Sequence, residues 1–521
     1  MAGRSHWVIA PVVALATFME VLDISIANVA LQHIAGSMSA SVDESTWVLT
    51  SYLVTNAIVL PVSGWMSSVF GRKRFYLACI LGFGASSLLC GMAPNLAMLI
   101  LFRAIQGLTG GGLQPSSQAI LADTFPPQQR GMALAFYGIA VVFAPAIGPA
   151  FGGWLTDNFS WRWVFLINVP ISIVLFFLIG AMIEDPPHLV AERAERRKRG
   201  IDIDYFGFGL LAVGIGFLQV VLDKGQEDDW FSSGFIGASA AISLLALVSV
   251  VIWELSREDP IVDLGLLRNR NFAIANILMF MLGFVLLGST TLLPQYVQEL
   301  LGYTAVDAGL VISPGGFAML VLMPVIGRMT GKVDARYMIA FGLAVCSLAL
   351  YAMTSVDLTV DFWSLAIYRL FQSAGLGFLF IPINAVAYVG IPQAKNNNAS
   401  ALINLSRNLG GSVGISLAST VLARRTQFHV ARLTDSISPY AQPYVAKVQS
   451  LQHQMMAQGG SAADALRHAQ AIVAANLQQQ AQLLSFLDDF LLLAVLFGAL
   501  IPLAFLLRRR PAGAGPAPAA H

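Results

Sequence analysis

"FRAIQGLTGGG", residues 102–112, and "YRLFQSAGLGF", residues 368–378, follow one plan in two distant parts of the chain. Each sets an Arg inside an apolar run, a Gln three residues later, and then a series of small residues. A second pair stands in corresponding positions: "GWMSSVFGRKR" (64–74) and the more degenerate "GRMTGKVDAR" (327–336). The first pair falls in the fourth run of each half and the second pair closes the second run. A chain repeated in this order is built of two like halves. Internal repeats with a binding site at their interface are the mark of secondary transporters.

The surroundings of these repeats are apolar. Of 521 residues, 56% are hydrophobic and 11% charged, against about 25% charged in soluble domains, too few to coat a soluble protein of this length. Runs of mostly apolar residues long enough for the ~20-residue crossing of a ~30 Å hydrocarbon core occur at 8–31, 46–67, 75–93, 97–121, 131–153, 162–183, 204–223, 231–253, 272–298, 306–328, 335–354, 362–390, 398–423 and 484–506. The fold class is an all-α polytopic membrane protein: two six-helix bundles plus two inserted spans, fourteen in all. The expected divisions are an N-terminal bundle (1–183), a linker with two additional spans (184–271), a C-terminal bundle (272–507) holding a long external segment (424–483), and a tail (508–521). No small-residue cleavage site follows the first run, which is expected to stay as an anchor. Cys79, Cys90 and Cys346 all fall inside apolar runs, a pattern that suggests neither a disulfide framework nor a metal cluster.

Basic residues set the expected orientation. With the N-terminus in the cytoplasm, twenty of the thirty Lys and Arg residues lie inside, among them "GRKR" (71–74), "RAERRKR" (193–199) and "RRR" (508–510). The short external loops hold only Arg162 and Lys224. Both termini are then cytoplasmic, which an even number of spans satisfies.

The first span carries a fault, "FMEVLDISIANVAL" (18–31), with Glu20 and Asp23 near its middle. A charge at the bilayer centre costs roughly 2.5–3.5 kcal/mol on insertion scales and survives by facing a wet cavity or pairing within the bundle. Three residues apart, the two carboxyls share one helix face about 5 Å apart along the axis. Mutual repulsion and burial then leave at least one of them protonated near neutral pH. An approaching Arg or cationic ligand favours release of that proton, which is the chemistry of a proton-coupled carrier. The competing expectation is a static salt bridge to Arg103 that locks helices together.

Two further stretches read as mechanical. In "GWMSSVFGRKR", Gly64 and Gly71 allow a short turn to pack tightly, and Asp123 in "ILADTFPPQQR" (120–130) is placed to pair with Arg72 or Lys73 as a cytoplasmic latch. In "APAIGPAFGGW" (144–154), Gly148, Gly152 and Gly153 make a groove for another helix, and Pro145 and Pro149 are expected to kink the span. Ordinary small-residue packing accounts for that groove equally well.

These residues resemble the major facilitator superfamily, and within it the fourteen-spanner drug:proton antiporter family, nearest its EmrB-type multidrug exporters. "GWMSSVFGRKR" is similar to the superfamily's loop motif, with Ser68 where an acidic residue is usual. "RAIQG" is similar to the fourth-span motif, and the resemblance implies proton coupling through Arg103. "APAIGPAFGG" is similar to the fifth-span antiporter motif, with Ala144 at a usual Gly. "LDISIANVAL" (22–31) is similar to the first-span signature, with its acid at Asp23 and its Asn at Asn28, and with Gln32 in place of the usual Pro; Glu20 lies outside it. "WRWVFLINVP" (161–170), "VVLDKGQEDDWFSS" (220–233) and "PIVDLGLLRNRNF" (260–272) also resemble this group.

The resemblance implies multidrug efflux and antibiotic resistance by proton antiport at a bacterial inner membrane, with no cofactor beyond the proton gradient. It further implies a tripartite pump with a periplasmic membrane-fusion adaptor and an outer-membrane channel. Segment 424–483, with "LQHQMMAQGGSAADALRHAQAIVAANLQQQAQLL" (451–484), is expected to form one or two amphipathic helices that dock the adaptor, cap the exit, or stay solvated. An amphipathic substrate is expected in a cavity between the halves, lined from Phe18, Asn28, Tyr52, Asn56, Tyr137, Gln295 and Asn384. An enzyme is not expected, since no HExxH, GxSxG or phosphate-binding Gly-Lys loop is present, and no nucleic-acid partner is implied. Export of one endogenous metabolite or siderophore, import by proton symport, and a non-transporting sensor or scaffold remain as alternative readings.

Overall fold

The computed structural model describes residues 6–126, 128–186, 189, 190, 193, 194, 204–257, 260–330, 332–434, 442–457 and 461–508. Most of linker 184–203 and nearly all of tail 508–521 lie outside the described residues. Spanning helices are α1 (Ile9–Val29), α2 (Val42–Phe70), α3 (Arg72–Gly91), α4 (Leu96–Thr124), α5 (Arg130–Asn158), α6 (Trp163–Met182) and the inserted α7 (Tyr205–Lys224) and α8 (Gly234–Ser256). The second half holds α9 (Arg270–Glu299), α10 (Ala305–Met329), α11 (Ala335–Ala352), α12 (Phe362–Ala387), α13 (Asn396–Thr434) and α14 (Ala462–Ala499).

Thirteen of these helices are apolar enough by composition to cross a membrane. The fourteenth, α13, falls short because it carries Asn396, Asn397, Asn404 and Arg407 on its buried face. Its sequence trades hydropathy for polar contacts inside the bundle.

Several helices start on local signals that the sequence supplies. Ser41 Oγ accepts from Glu44 N at 3.1 Å while Glu44 returns a carboxylate oxygen to Ser41 N at 2.8 Å, a reciprocal cap that satisfies two orphan donors at the start of α2. Thr304 and Asp307 do the same for α10. Asn95 and Asp361 cap α4 and α12. These caps stand at the helix ends away from the basic turns.

Within the first half α1 packs on α4, α5 and α6, and α2 on α4. In the second half α9 packs on α12 and α13, and α11 on α12 and α14. The halves meet along two main seams, α5 against α10 and α2 against α13. The inserted hairpin α7–α8 leans mainly on α2 and also touches α13, where Ser412 Oγ donates to Gln219 Oε1 at 3.0 Å.

The glycines of the second repeat pair serve these seams. A methyl on Gly64 would meet the Asn398 backbone Cα at 2.9 Å, and one on Gly327 would meet the Met132 Cα at 3.0 Å. So Gly64 belongs to the α2–α13 seam rather than to a turn. Gly71 makes the turn itself, with φ +93°, a conformation that disfavours any side chain.

Segment 424–483 is mostly helix rather than loop. α13 runs on to Thr434, a separate helix Gln442–Ala457 packs against α14, and α14 starts as early as Ala462. At 39 and 38 residues, α13 and α14 are each about 57 Å long, far beyond a ~30 Å hydrocarbon core.

Candidate functional site

Asp23 and Arg103 are both wholly buried, with Arg103 Nη1 2.6 Å from Asp23 Oδ2. α1 and α4 supply the pair, and neutral side chains complete it. Asn168 on α6 donates to Asp23 Oδ1 at 2.7 Å and Gln106 donates to the same oxygen at 3.2 Å. Arg103 also donates from Nη1 to Gln106 Oε1 at 2.9 Å and from Nε to the Val48 carbonyl at 3.1 Å. Its guanidinium stands 4.3 Å from the centre of the Tyr52 ring, a cation–π contact that helps a buried charge. Removed from water, such a pair survives on geometry and on the hydrogen bonds around it.

Glu20 goes elsewhere. It is 1% exposed, and its Oε1 accepts from Asn56 Nδ2 at 3.1 Å and from Tyr52 OH at 3.4 Å. Arg103 therefore bonds to Asp23, not to Glu20, and the two carboxyls of one helix face serve different clusters. Tyr52 connects them, its ring under Arg103 and its hydroxyl on Glu20.

A buried polar layer joins the halves on the basic side of Glu20. Tyr137 OH donates to Asn404 Oδ1 at 2.7 Å, Asn404 Nδ2 to Gln118 Oε1 at 2.5 Å, and Gln118 Nε2 to Asn384. Arg407 donates to Tyr137 OH at 3.3 Å and to Gln114 Oε1. Below it, at the basic end, Arg72 Nη2 lies 2.7 Å from Asp123 Oδ2, both buried. The pair is tied to the second half, since Arg72 Nε donates to Asn397 at 2.9 Å and Asn396 donates to Asp123 at 2.5 Å. Lys73 takes no part in that pair: its amide donates to Asp185 at 2.8 Å and its Nζ to the Gly180 carbonyl at 2.6 Å. With both layers made, the basic end is closed.

Of Gly148, Gly152 and Gly153 on α5, the first two receive α1. A methyl on Gly152 would meet the Ile26 Cα at 3.0 Å, and one on Gly148 would strike Ser25, whereas on Gly153 the nearest atom is Val306 at 3.9 Å. Pro149 has no N–H, which leaves the Pro145 carbonyl without its helical donor; Ser25 Oγ points to that carbonyl at 3.5 Å. Thus α5 stays one helix through both prolines.

The seven residues expected to line a cavity are distributed differently. Tyr52, Asn56, Tyr137 and Asn384 are buried in the packed polar layers. Phe18 stacks on Phe143 at 6.3 Å, and Phe143 meets Phe317 of the second half at 5.8 Å. Asn28 is exposed near the far end of α1. Gln295 lines a cavity of about 430 Å³ within the second half, between α9, α13 and α14. A larger one, about 610 Å³, opens at the basic end beside Trp65, Glu254, Asp263 and Lys395. In this conformation the two halves therefore close around Tyr52, Asn56, Tyr137 and Asn384 instead of parting there.

Gln106, Gln114, Gln118, Asn168, Asn404 and Arg407 were not singled out as site residues from sequence. Asn168 sits in "WRWVFLINVP" and Gln106 in "RAIQG", so the motifs held the signal but not the role. The others are polar residues in apolar runs, the one local sign they share.

Two six-helix bundles meeting along paired seams, with charges buried inside the spans, define a multi-pass helical membrane carrier of the two-bundle class. The chain belongs to the Major Facilitator Superfamily, whose family model matches residues 13–415. It is 38% identical to the probable multidrug resistance protein EmrY of Escherichia coli (strain K12) over 84% of this chain and 85% of that one. It is 39% identical to the multidrug export protein EmrB of Haemophilus influenzae over 82% of each. Among solved structures, the human organic anion transporter MFSD10 shares the fold, with TM-score 0.59 and 14% identity over 95% of this chain and the whole of that one. The resemblance to EmrB-type exporters is thereby borne out.

Proposed function

We propose that this transporter exports amphipathic compounds in exchange for protons across a bacterial inner membrane. Similarity to the multidrug resistance protein EmrY and the multidrug export protein EmrB supports multidrug compounds as the substrate class. The observation that carries proton exchange is the buried Asp23–Arg103 pair, a carboxyl whose proton can leave or return as its cation and its solvent change. In this reading the proton gradient alone drives the cycle, and Asp23 carries the exchanged proton. The basic end faces the cytoplasm, both termini with it, as the distribution of Lys and Arg favours. The structure is then the form closed to the cytoplasm, and opening it breaks the Arg72–Asp123 layer.

The extensions of α13 and α14, with helix Gln442–Ala457, then stand in the periplasm. Their length supports docking of a membrane-fusion adaptor, which would pass substrate to an outer-membrane channel. Reconstitution in liposomes with an imposed pH gradient tests the proposal. Addition of amphipathic compounds is expected to dissipate the gradient, and Asp23→Asn to abolish that response while leaving a folded protein that still binds. A wild-type protein that moves no protons for any such compound overturns it.

A further inference from the structure

The cavity of about 610 Å³ at the basic end stands apart from the Asp23 and Arg72 layers, and three parts of the chain wall it. Trp65 comes from α2 of the first half, and Lys395 stands just ahead of α13 of the second. Glu254 and Leu255 end α8 of the inserted hairpin, and Leu267 and Arg268 belong to the stretch leading into α9. Its place at the ends of spanning helices, with a Trp among basic residues, is that of the membrane boundary.

The charges around this cavity are unequally satisfied. Lys395 Nζ lies 2.6 Å from Asp263 Oδ2, a pair closed on itself. Glu254 is 3% exposed. Its Oε2 accepts a long hydrogen bond from Val262 N at 3.4 Å, and its Oε1 has no donor among the described residues. A second buried carboxyl stands beside it, since a methyl on Gly207 would meet both Asp204 Oδ2 at 2.5 Å and Glu254 Oε1 at 3.2 Å. Asp204 takes the better partners: Gly207 N and Trp253 Nε1 each donate to it at 2.8 Å, and Arg257 Nε lies 3.7 Å away. Glu254 is left without an ion pair among the described residues. A buried acceptor without a donor costs about 1–3 kcal/mol, and more when charged. Arg268 is exposed and has no partner among the described residues. The rim is apolar, with Leu255 and Leu267 exposed, and Leu255 continues the exposed row of Val248 and Ile252 along α8.

We infer that this cavity binds the zwitterionic head of an amphiphile of the phosphoethanolamine type, its primary ammonium on Glu254 and its phosphate on Arg268, with the apolar chain leaving past Leu255 and Leu267. Basic pockets between spanning helices take phospholipid heads, and a guanidinium matches the geometry of a phosphate. A buried carboxyl adds a requirement that phosphate alone does not meet. A primary ammonium brings three N–H donors to the unsatisfied oxygen, whereas a trimethylated one brings none, so ethanolamine is favoured over choline. The bound head touches the inserted hairpin and both halves, and therefore stabilises the closed basic end by binding that form. The same head is carried by a phospholipid of the adjoining leaflet and by a single-chain amphiphile arriving from solution. The inference goes beyond proton exchange and does not depend on it.

The test titrates the full chain in detergent with phosphatidylethanolamine, its N-methyl and N,N-dimethyl forms and phosphatidylcholine, all of one acyl composition, read by native mass spectrometry and by melting temperature. Wild-type affinity is expected to fall stepwise with methylation, by about tenfold in all, the loss of a hydrogen bond to a charged group. Phosphatidylglycerol, which has the phosphate but no ammonium, should bind no better than phosphatidylcholine. Glu254→Gln is expected to abolish the preference for ethanolamine, and Arg268→Gln to weaken every phospholipid alike. Glu299→Gln, at the other end of α9, should change neither. Diacyl lipid retained on extraction from nanodiscs identifies the leaflet as the source. Binding of lysophosphatidylethanolamine without the diacyl lipid identifies a single-chain amphiphile, and either result supports the assigned head chemistry. Equal wild-type affinity across the methylated series overturns the inference whether or not Glu254→Gln folds, and so does a preference for ethanolamine that survives in Glu254→Gln.

Discussion

Arg103 and Arg369 occupy corresponding places in the two halves but meet different partners. Each donates from Nη1 to the Gln three residues on, at 2.9 and 2.8 Å. Each Gln in turn donates to a serine, Ser87 at 3.0 Å and Ser289 at 2.8 Å. Beyond that the repeat parts. Arg103 meets the Asp23 carboxylate at 2.6 Å, whereas Arg369 meets the hydroxyls of Ser289 at 3.2 Å and Thr290 at 2.9 Å. The two halves keep one scaffold, and only the first loads it with an acid.

That asymmetry separates the two arginines in function. Arg103→Gln and Asp23→Asn are each expected to cut substrate-driven proton flux about tenfold or more, which equals ~1.4 kcal/mol in the barrier. Arg369→Gln, with no carboxylate to release, should hold flux within a few-fold of wild type. Flux into proteoliposomes under a fixed pH gradient checks the three side by side.

The closed basic end rests on a buried ion pair, so it should show the penalty of half-removal. Replacing one member of such a pair costs about 3–5 kcal/mol, because the other charge is left buried alone. Arg72→Gln and Asp123→Asn should each lower thermal stability in detergent, and the double variant should recover part of the loss. Lys73→Ala should leave the pair intact, since Lys73 bonds to Asp185 and Gly180 instead. A thermal double-mutant cycle reads this coupling directly.

On α5 the close approach of α1 depends on two positions. Gly152→Ala and Gly148→Ala push a methyl into Ile26 and Ser25, an overpacking that costs roughly 1–3 kcal/mol. Gly153→Ala meets only ordinary contact and is expected to leave stability unchanged. Melting curves of the three variants in one detergent decide the matter, and equal losses would contradict the assignment.

Away from the basic end, Asp361 caps α12, accepting from Trp363 N at 3.1 Å and Ser364 N at 3.3 Å. The Ser364 hydroxyl holds its carboxyl below the usual carboxylate value. A lowered value contributes stability above the unfolded pKa, near 3.9, and loses it as pH falls through the folded one. Hydrogen exchange at the first turn of α12 should therefore be flat from pH 5 to 8, after correction for intrinsic rates, and should rise only below about pH 4.

Much of the fold was legible because it is local. A run of apolar residues has to be long enough to cross, whatever its neighbours are, and the fourteen runs became fourteen helices. The i, i+3 spacing of Arg103 and Gln106, and of Arg369 and Gln372, already placed each pair on one face. The direct contact of Asp23 with Arg103 and of Arg72 with Asp123 followed the charges, since few opposite charges are available inside the spans. Segment 424–483 was less legible. Its pattern marked one or two amphipathic helices at 451–484, but that α13 runs on unbroken to Thr434 and that α14 begins as early as Ala462 showed only in three dimensions.

The sequence by itself determined that this chain crosses the membrane fourteen times as two repeated halves with an inserted pair of helices, and which charges each span has to shelter. Only the tertiary structure decided that Glu20 and Asp23, neighbours on one helix face, serve different partners. It also brought Gln114, Tyr137, Asn404 and Arg407 into one layer across the seam. The reason is physical: run length and spacing are properties of a single helix, whereas these contacts depend on how helices from opposite ends of the chain are rotated and crossed. Gly64 and Gly327 allow that crossing to be close, and uncharged Asn and Gln carry no mark in the sequence of the partner they will meet.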